Sequence, residues 1–231
     1  MLYTEQNVRD NIRTREGKRV FYLREEDRLT SAARDFLHLE RIEILPAQQA
    51  KPEHYLRENG AILPEKPEHM THLQGNILVN KTHPRILFRG KMDLLEAEFM
   101  LCQLKVPDFC NELGELLAFA RYLLRCEILG EVVDSWKLMG LSPEDLRKHS
   151  HFPQDHYGQP HFMPQYTDGE EILCLNRLRC IARQVELAAV KAFVDDNGKT
   201  DRADLLQALN RLSSAVYILM IRKKRNLGPL A

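Results

Sequence analysis

The 231-residue sequence has no excess of charge of either sign, because 33 Lys and Arg residues balance 33 Asp and Glu residues. Composition therefore does not favour nucleic acid or an anionic membrane as the main partner, and any anion site must be local. No apolar run reaches the ~20 residues that a membrane span needs, and the N-terminal MLYTEQNVRDNIR lacks the apolar segment of a signal peptide. We expect a cytoplasmic protein that binds neither nucleic acid nor membranes.

Cysteines are few and none has a close neighbour of its own type. The five stand singly in apolar, helix-like stretches, at Cys102, Cys110, Cys126, Cys174 and Cys180. Their number is odd and no pair has the short spacing of a zinc site. This pattern favours a reducing compartment over a disulfide scaffold.

Four histidines fall in the stretch 149–169, namely His149, His151, His156 and His161. Imidazole is a common ligand of zinc and copper, but no Cys and no tightly spaced His pair on a helix accompanies these residues. The stretch is also rich in Pro and Gly, which predicts irregular structure. We expect solvated loop histidines and no metal site.

Helical periodicity dominates the chain beyond residue 70. Candidate helices cover about 84–105, 109–138, 170–195 and 201–222. Four helices of this length predict a bundle. The predicted fold class is mainly α, a four- to five-helix bundle with a small N-terminal α/β extension.

The N-terminal 45 residues predict that small α/β unit. They contain a strand-like VFYL at 20–23, a helix SAARDFLHLE with Thr30 or Ser31 as its N-cap, and a second strand IEIL at 42–45. Residues 46–70 are polar and contain four prolines, which predicts a linker. We therefore divide the chain into an α/β unit at 1–45, a linker at 46–70 and a helical bundle at 71–231.

Several charges lie in stripes that the helical period would turn toward a core or an interface. Asp93 shares a stripe with Ile86, Gly90, Ala97 and Leu101, and Arg179, Arg183 and Glu186 share one with Ile172, Val190 and Phe193. On the last helix Asn210 is the polar member of a stripe beside the main leucine line. Buried charges cost several kcal/mol each unless they are paired. Periodicity alone leaves two alternatives open, a structural ion-pair network or a site for a charged ligand.

Three sequence blocks carry a resemblance to a known family. They are THLQGNILVNKTHPRILFRGKMD at 71–93, RLRCIARQVE at 177–186 and LQALNRLSSAVYILM at 206–220. In their order and spacing, the chain resembles the PduO-type corrinoid adenosyltransferases and, more closely, their ethanolamine-utilisation relatives, EutT. Each block alone is weak, but the three agree with one another and with the predicted helices.

The resemblance implies a homotrimer of helical bundles that binds ATP between subunits, with the corrinoid beside it. The implied reaction moves the 5′-deoxyadenosyl group of ATP to cob(I)alamin and gives adenosylcobalamin and tripolyphosphate, to supply ethanolamine ammonia-lyase. The implied cofactor is Mg²⁺ or another divalent ion, and the implied partner is a flavin or other reductase. The implied location is the cytoplasm, with an association with a bacterial microcompartment.

The resemblance also assigns roles to residues. Catalytic roles fall on Arg179, Arg183 and Asp93, with Asp93 pairing with Arg179. ATP binding falls on Thr71, Lys81, Arg179, Arg183, Glu186 and Asn210. For the corrinoid face we choose the apolar residues of the 149–169 stretch, Phe152, Tyr157, Phe162 and Met163, because a mobile aromatic loop can exclude water.

The sequence departs from the family at two points. Only Gly75 remains of a glycine-rich stretch that can cradle phosphate. Some relatives carry a metal-binding cysteine cluster with an upstream His before Thr71, whereas residues 46–70 hold His54 and His69 but no Cys, so we expect catalysis without that metal. Two other interpretations stay open: a non-catalytic ATP- or cobalamin-binding delivery or sensor protein, and a purely structural bundle.

Overall fold

The computed structural model describes residues 2–15, 17–46 and 54–226, and it is mainly α. Its contacts divide the chain into two compact units, Met1–His83 and Pro84–Ala231. The division falls after the polar stretch in which the sequence places its linker. None of the helices in the described part of the chain combines the length and the apolar character that crossing a membrane requires.

The first unit begins with two helices and five short strands. These are β1 (Leu2–Tyr3), α1 (Glu5–Asn11), β2 (Arg13–Arg15), β3 (Lys18–Leu23), β4 (Arg28–Leu29), α2 (Ser31–Leu39) and β5 (Glu43–Pro46). Strand β3 runs antiparallel to β2 and parallel to β5, and β1 pairs with β4 in parallel. Thr30 caps α2 by accepting the Ala33 N–H at 3.2 Å. The predicted strands at 20–23 and 42–45 and the predicted helix are confirmed.

A third sheet, of four strands, lies in the same unit, in the order β7–β6–β9–β8. The strands are β6 (Tyr55–Arg57), β7 (Ile62–Leu63), β8 (Met70–Gln74) and β9 (Ile77–Asn80). The prediction of a linker at 46–70 is wrong for its described part, because β6 and β7 form a hairpin there. Gly60 makes the tight turn possible with φ +80, and its N–H donates to the Arg57 carbonyl at 2.8 Å.

The second unit is built from four long helices that bury one common core. They are α3 (Pro84–Lys105), α4 (Cys110–Leu129), α7 (Glu170–Phe193) and α8 (Ala203–Lys224). The predicted leucine line of α8 is fully buried, at Leu205, Leu209, Leu212, Val216 and Leu219. Helix α4 ends nine residues before its predicted end, because Gly130 adopts a left-handed conformation (φ 69) and caps it through the Cys126 carbonyl.

The stretch between α4 and α7 is more regular than its composition predicts. It contains α5 (Pro143–His151), α6 (Pro153–Tyr157) and a 3₁₀ turn at Tyr166–Asp168. Ser142 caps α5 with a capping box through Asp145, and a proline occupies the first turn of both α5 and α6. The prediction of irregular structure over 149–169 is therefore wrong for these segments, since Pro and Ser at helix starts favour a helix instead of opposing it.

Candidate active site on helices α7 and α8

Two side-chain contacts fix how α7 and α8 face each other. The Arg179 guanidinium lies 5.7 Å from the centre of the Tyr217 ring, and Glu186 Oε1 accepts a hydrogen bond from Asn210 Nδ2 at 2.6 Å. The two contacts are seven residues apart on each helix and run in opposite directions, so the helices are antiparallel along this face. The register places Arg183, one turn from Arg179, level with Ser213.

Neither arginine of this face is paired with a carboxylate among residues 2–15, 17–46 and 54–226. Arg179 donates through Nη2 to Asn176 Oδ1 at 3.0 Å, which is a neutral amide oxygen. Arg183 is exposed, and no hydrogen bond or ion pair of its guanidinium is found there. The two guanidinium groups, one helical turn apart, can therefore bind an anion.

Two other arginines of the second unit do form a structural ion-pair network, unlike Arg179 and Arg183. Glu127 is fully buried and accepts Arg85 Nε through Oε1 and Arg89 Nε through Oε2, each at 2.7 Å. This triad joins α3 to α4 and satisfies a charge that would be costly to bury alone. The interpretation of the helix charges as a structural network fits Arg85 and Arg89, not Arg179 and Arg183.

Asn210 is held from several sides. Its side-chain oxygen accepts from Arg211, whose guanidinium is buried, and the Ser213 hydroxyl donates to its backbone carbonyl at 2.9 Å. Burial lowers the pKa of Arg211. Asn210 in turn orients Glu186, whose second carboxylate oxygen has no hydrogen bond within the described residues. That oxygen is available to a ligand or a cation.

Tyr217 and His161 extend the site beyond the residues that the sequence predicts. The Tyr217 hydroxyl lies 2.7 Å from His161 Nδ1, and His161 Nε2 lies 3.1 Å from the His151 carbonyl. Because a carbonyl only accepts, Nε2 carries the proton and the Tyr217 hydroxyl donates to Nδ1. Burial raises the pKa of Tyr217. Tyr217 lies seven residues after Asn210, and this spacing places both on one face of α8. No such spacing in the sequence indicates His161.

No pairing of Asp93 with Arg179 is found among the residues that the structure describes. The α3 side chains that contact α7 include Lys91, Glu98 and Cys102, seven and four residues apart. Asp93 is two residues from Lys91, about 200° around the helix, and its side chain is exposed. The stripe that contains Asp93 is therefore the exposed face of α3 and not a core line.

Thr71 and Lys81 belong to the first unit. Thr71 lies in β8 opposite Val79, and Lys81 follows β9 with its Nζ 3.3 Å from Glu68 Oε1. Both side chains of that ion pair are more than half exposed. Their predicted contact with ATP stays a prediction.

Comparison with known proteins shows the family of the chain. The cobalamin adenosyltransferase family model matches residues 62–223. The chain belongs to the cobalamin adenosyltransferase family. It is 30% identical to the corrinoid adenosyltransferase EutT of Escherichia coli (strain K12) over 94% of this chain and 90% of that protein. With the protein of the same name from Salmonella typhimurium it shares 28% identity over the same fractions.

In this adenosyltransferase the four apolar residues chosen for the corrinoid face have different surroundings. Phe152 and Met163 are exposed, at 59% and 84%. Tyr157 and Phe162 pack against the helical core, and Lys224 Nζ lies 5.4 Å from the centre of the Phe162 ring. Burial raises the pKa of Tyr157 to about 12. The assignment of the four to cobalamin stays a prediction.

The histidines of this adenosyltransferase are more ordered than the sequence predicts. His149 is half-buried, donates to or accepts from the Tyr157 hydroxyl at 2.7 Å and stacks on His156 with 3.8 Å between ring centres. Burial lowers the pKa of His149. The expectation of solvated loop histidines is therefore wrong for His149.

Proposed function

We propose that the chain transfers the 5′-deoxyadenosyl group of ATP to cob(I)alamin, giving adenosylcobalamin and tripolyphosphate. Membership of the family supports the adenosyl transfer to a corrinoid. The observation that carries the detailed reaction is the pair Arg179 and Arg183, one turn apart and without a carboxylate partner in the part of the chain that the structure describes. Such a pair suits the oxygens of a triphosphate.

The reaction explains why arginines, and not a nucleophile, occupy the site. An electron pair of the reduced cobalt forms a bond to the 5′ carbon of ATP, and the bond from that carbon to its oxygen breaks. The bonding electrons leave with the triphosphate, so negative charge grows on the leaving group. No proton moves in this step and no Ser, Cys or His must be activated. The protein's task is to position ATP and to neutralise that charge.

Glu186 fits a role beside a divalent cation. Mg²⁺ binds through one or two carboxylates together with substrate phosphates. One oxygen of Glu186 is fixed by Asn210 and the other has no hydrogen bond within the described residues. Glu186 and the triphosphate would hold Mg²⁺, which would neutralise further charge on the leaving group. Asn210 sets the orientation of the carboxylate.

Lys81 and Thr71 of the first unit remain proposed as further ATP-binding residues. The ion pair of Lys81 with Glu68 is exposed at 3.3 Å. Exposed pairs contribute ~1 kcal/mol or less, so Lys81 can exchange Glu68 for a phosphate at little cost. Thr71 offers a hydroxyl in β8, ten residues earlier.

A second copy of the chain is part of the proposal. The exposed face of α3 carries Asp93 together with apolar side chains, Leu94, Met100 and Leu101, each more than 40% exposed. Contiguous exposed apolar surface marks interaction sites. We infer that this face contributes to a homotrimer and that Asp93 serves an arginine or a nucleotide of the neighbouring subunit, because Asp93 is exposed on this face.

The corrinoid would bind beside the triphosphate. The exposed Phe152 and Met163 provide apolar surface that can cover a corrin face and keep water away from the reduced cobalt, with Tyr157 and Phe162 as their support on the core. A flavin or other reductase would supply the electron. The product would supply ethanolamine ammonia-lyase, in the cytoplasm or in a bacterial microcompartment.

Anaerobic mixing of the full chain with ATP, Mg²⁺ and chemically reduced cobalamin tests the proposal. We expect a product with the light-sensitive absorbance of a cobalt–carbon bond and one tripolyphosphate per product. Arg183→Ala should lower the rate about a hundredfold, since loss of one such electrostatic contact costs ~3 kcal/mol. Arg125→Ala is the matched control, because the one ion pair of Arg125 found among the described residues is a partly exposed pair with Glu131.

Two results would count against the proposal. ATP binding without product in the wild type would indicate a delivery or sensor protein. Equal rates for Arg183→Ala and Arg125→Ala would show that the arginine pair does not act on the triphosphate.

A further inference from the structure

Three potential metal ligands converge between α3 and α7, away from the arginine pair. One ligand atom from each of Glu98, Cys102 and Cys174 lies within 4.8 Å of the others, and all three residues are buried. Glu98 and Cys102 are four residues apart on one face of α3, and Cys174 meets them from α7. The two sulfur atoms are 2.6 Å apart.

The chemistry of the three donors suits a thiophilic divalent cation. Zinc takes thiolates and carboxylates in tetrahedral sites, and three protein ligands leave one position for water. Zn–S bonds of about 2.3 Å hold two sulfurs about 3.8 Å apart. The sulfurs would move apart by about 1 Å, which a change of ~30° in a side-chain torsion supplies at modest cost.

The charges around the three residues also balance with a divalent cation. Arg177 Nε lies 3.0 Å from Glu98 Oε1, and the Arg177 side chain is two-thirds exposed while Glu98 is 4% exposed. Two thiolates and one carboxylate carry three negative charges, and a divalent cation with Arg177 carries three positive ones. A neutral assembly is the arrangement that burial favours.

We propose that Glu98, Cys102 and Cys174 form a binding site for Zn²⁺ that ties α3 to α7. Binding releases the two thiol protons to solvent and involves no oxidation. The sequence does not indicate this site through a short spacing between cysteines. Cys102 and Cys174 are 72 residues apart and come together only in the fold.

A disulfide between the same sulfurs is the competing outcome, and the surroundings disfavour it. Burial raises the pKa of Cys102, with the nearby Cys174 and Glu98 acting in the same direction. A thiol that stays protonated reacts slowly with oxidants, because the thiolate is the reactive form. A bound cation instead offsets the charge of Glu98 and displaces the protons.

Metal titration of the full, cobalamin-free chain, reduced and treated with a chelator under anaerobic conditions, tests the proposal. Co²⁺ serves as the spectroscopic probe. We expect a thiolate-to-cobalt charge-transfer band in the near ultraviolet that saturates at one equivalent and is abolished by Zn²⁺. Zn²⁺ at a hundredfold excess over its dissociation constant should raise the melting temperature by about 5 to 10 °C.

Variants separate this site from adventitious binding. Cys102→Ser and Cys174→Ser should lose the band, and Cys110→Ser and Cys180→Ser, which change exposed cysteines, should keep it. Glu98→Gln should weaken Zn²⁺ at least about tenfold, since changes outside the ligand shell already cost that much. If a serine variant fails to fold, Glu98→Gln and the wild-type titration still test whether these residues bind Zn²⁺.

Three results would overturn the proposal. They are a wild-type titration without a saturating band, a band that persists in Cys102→Ser, and a chelator-treated chain, purified without reductant, that shows three titratable thiols on denaturation instead of the five that the sequence provides. The last result would show a disulfide in place of a metal site.

Discussion

At the scale of single residues, the arginines of the helical unit divide into two kinds. Arg85 and Arg89 are bound by buried Glu127, whereas Arg179 and Arg183 have no carboxylate partner within the described residues. Both kinds lie on long amphipathic helices with the same four-residue spacing. Their difference comes from Glu127, which is 42 residues from Arg85 in the chain and meets it only in the fold.

Tyr217 is a positioning residue for Arg179 in this account. Tyr217→Phe keeps the ring 5.7 Å from the guanidinium and removes the hydroxyl bond to His161, so KM for ATP should stay within about twofold. Tyr217→Ala also removes the cation–π contact, worth ~1 kcal/mol, and should raise KM about fivefold. Steady-state kinetics measures both. Equal KM values for the two variants would contradict the role.

The sequence predicts which polar residues of the candidate site share a helix face, but not which partners they contact. Arg179, Arg183, Glu186 and Asn210 lie on adjoining faces of α7 and α8, as their helical spacing indicates. Asp93 has equally clear spacing but lies on the exposed face, because a stripe shows which residues share a face and not which face is buried.

At the scale of elements, the long helices are predictable and the strands of two or three residues are not. Each of the four long helices repeats its apolar period over five or more turns, so one irregular residue does not hide the pattern. Strands β6 and β7 have three and two residues, too few for alternation to be recognised among prolines. Helix α4 was predicted too long because the apolar pattern continues past the left-handed Gly130.

The junction of α3 and α4 depends on Glu127. Glu127→Gln removes the carboxylate that binds both Arg85 and Arg89 at a fully buried site, and we expect a loss of ~3 kcal/mol in the free energy of unfolding. Urea denaturation measures it. Glu96→Gln is the control, since Glu96 pairs with the exposed Arg121 and should cost ~1 kcal/mol or less. Similar losses for both variants would contradict the special role of Glu127.

The junction of α5 and α6 should weaken in acid. Burial, together with the stacked His156, lowers the pKa of His149 in the folded chain. As the pH falls, His149 therefore takes up a proton in the unfolded chain before it does so in the folded chain. The contribution of neutral His149 to the free energy of unfolding is complete above the ordinary pKa range of imidazole and is lost as the pH falls below that range. Between about pH 7.5 and about pH 5.5 the wild type should lose more unfolding free energy than His149→Gln. Parallel pH profiles would contradict this.

At the scale of the whole molecule, the exposed apolar face of α3 predicts self-association. We expect light scattering with gel filtration to give about 81 kDa, three times the chain mass of 26.9 kDa. Leu94→Glu with Leu101→Glu should dissociate the trimer, because both leucines are more than 40% exposed on that face. Leu39→Glu, at an exposed leucine of α2, is the control. A wild type that elutes at the mass of one chain would contradict the prediction.

We propose that Arg179 and Arg183 bind the triphosphate. Calorimetric titration of tripolyphosphate into the wild type, Arg183→Ala and the control Arg125→Ala measures that contact without cobalamin or catalysis. A charge-assisted hydrogen bond contributes about 1.5 to 3 kcal/mol, so Arg183→Ala should bind tripolyphosphate about tenfold to a hundredfold more weakly than the other two. Equal affinity in all three proteins would contradict the account.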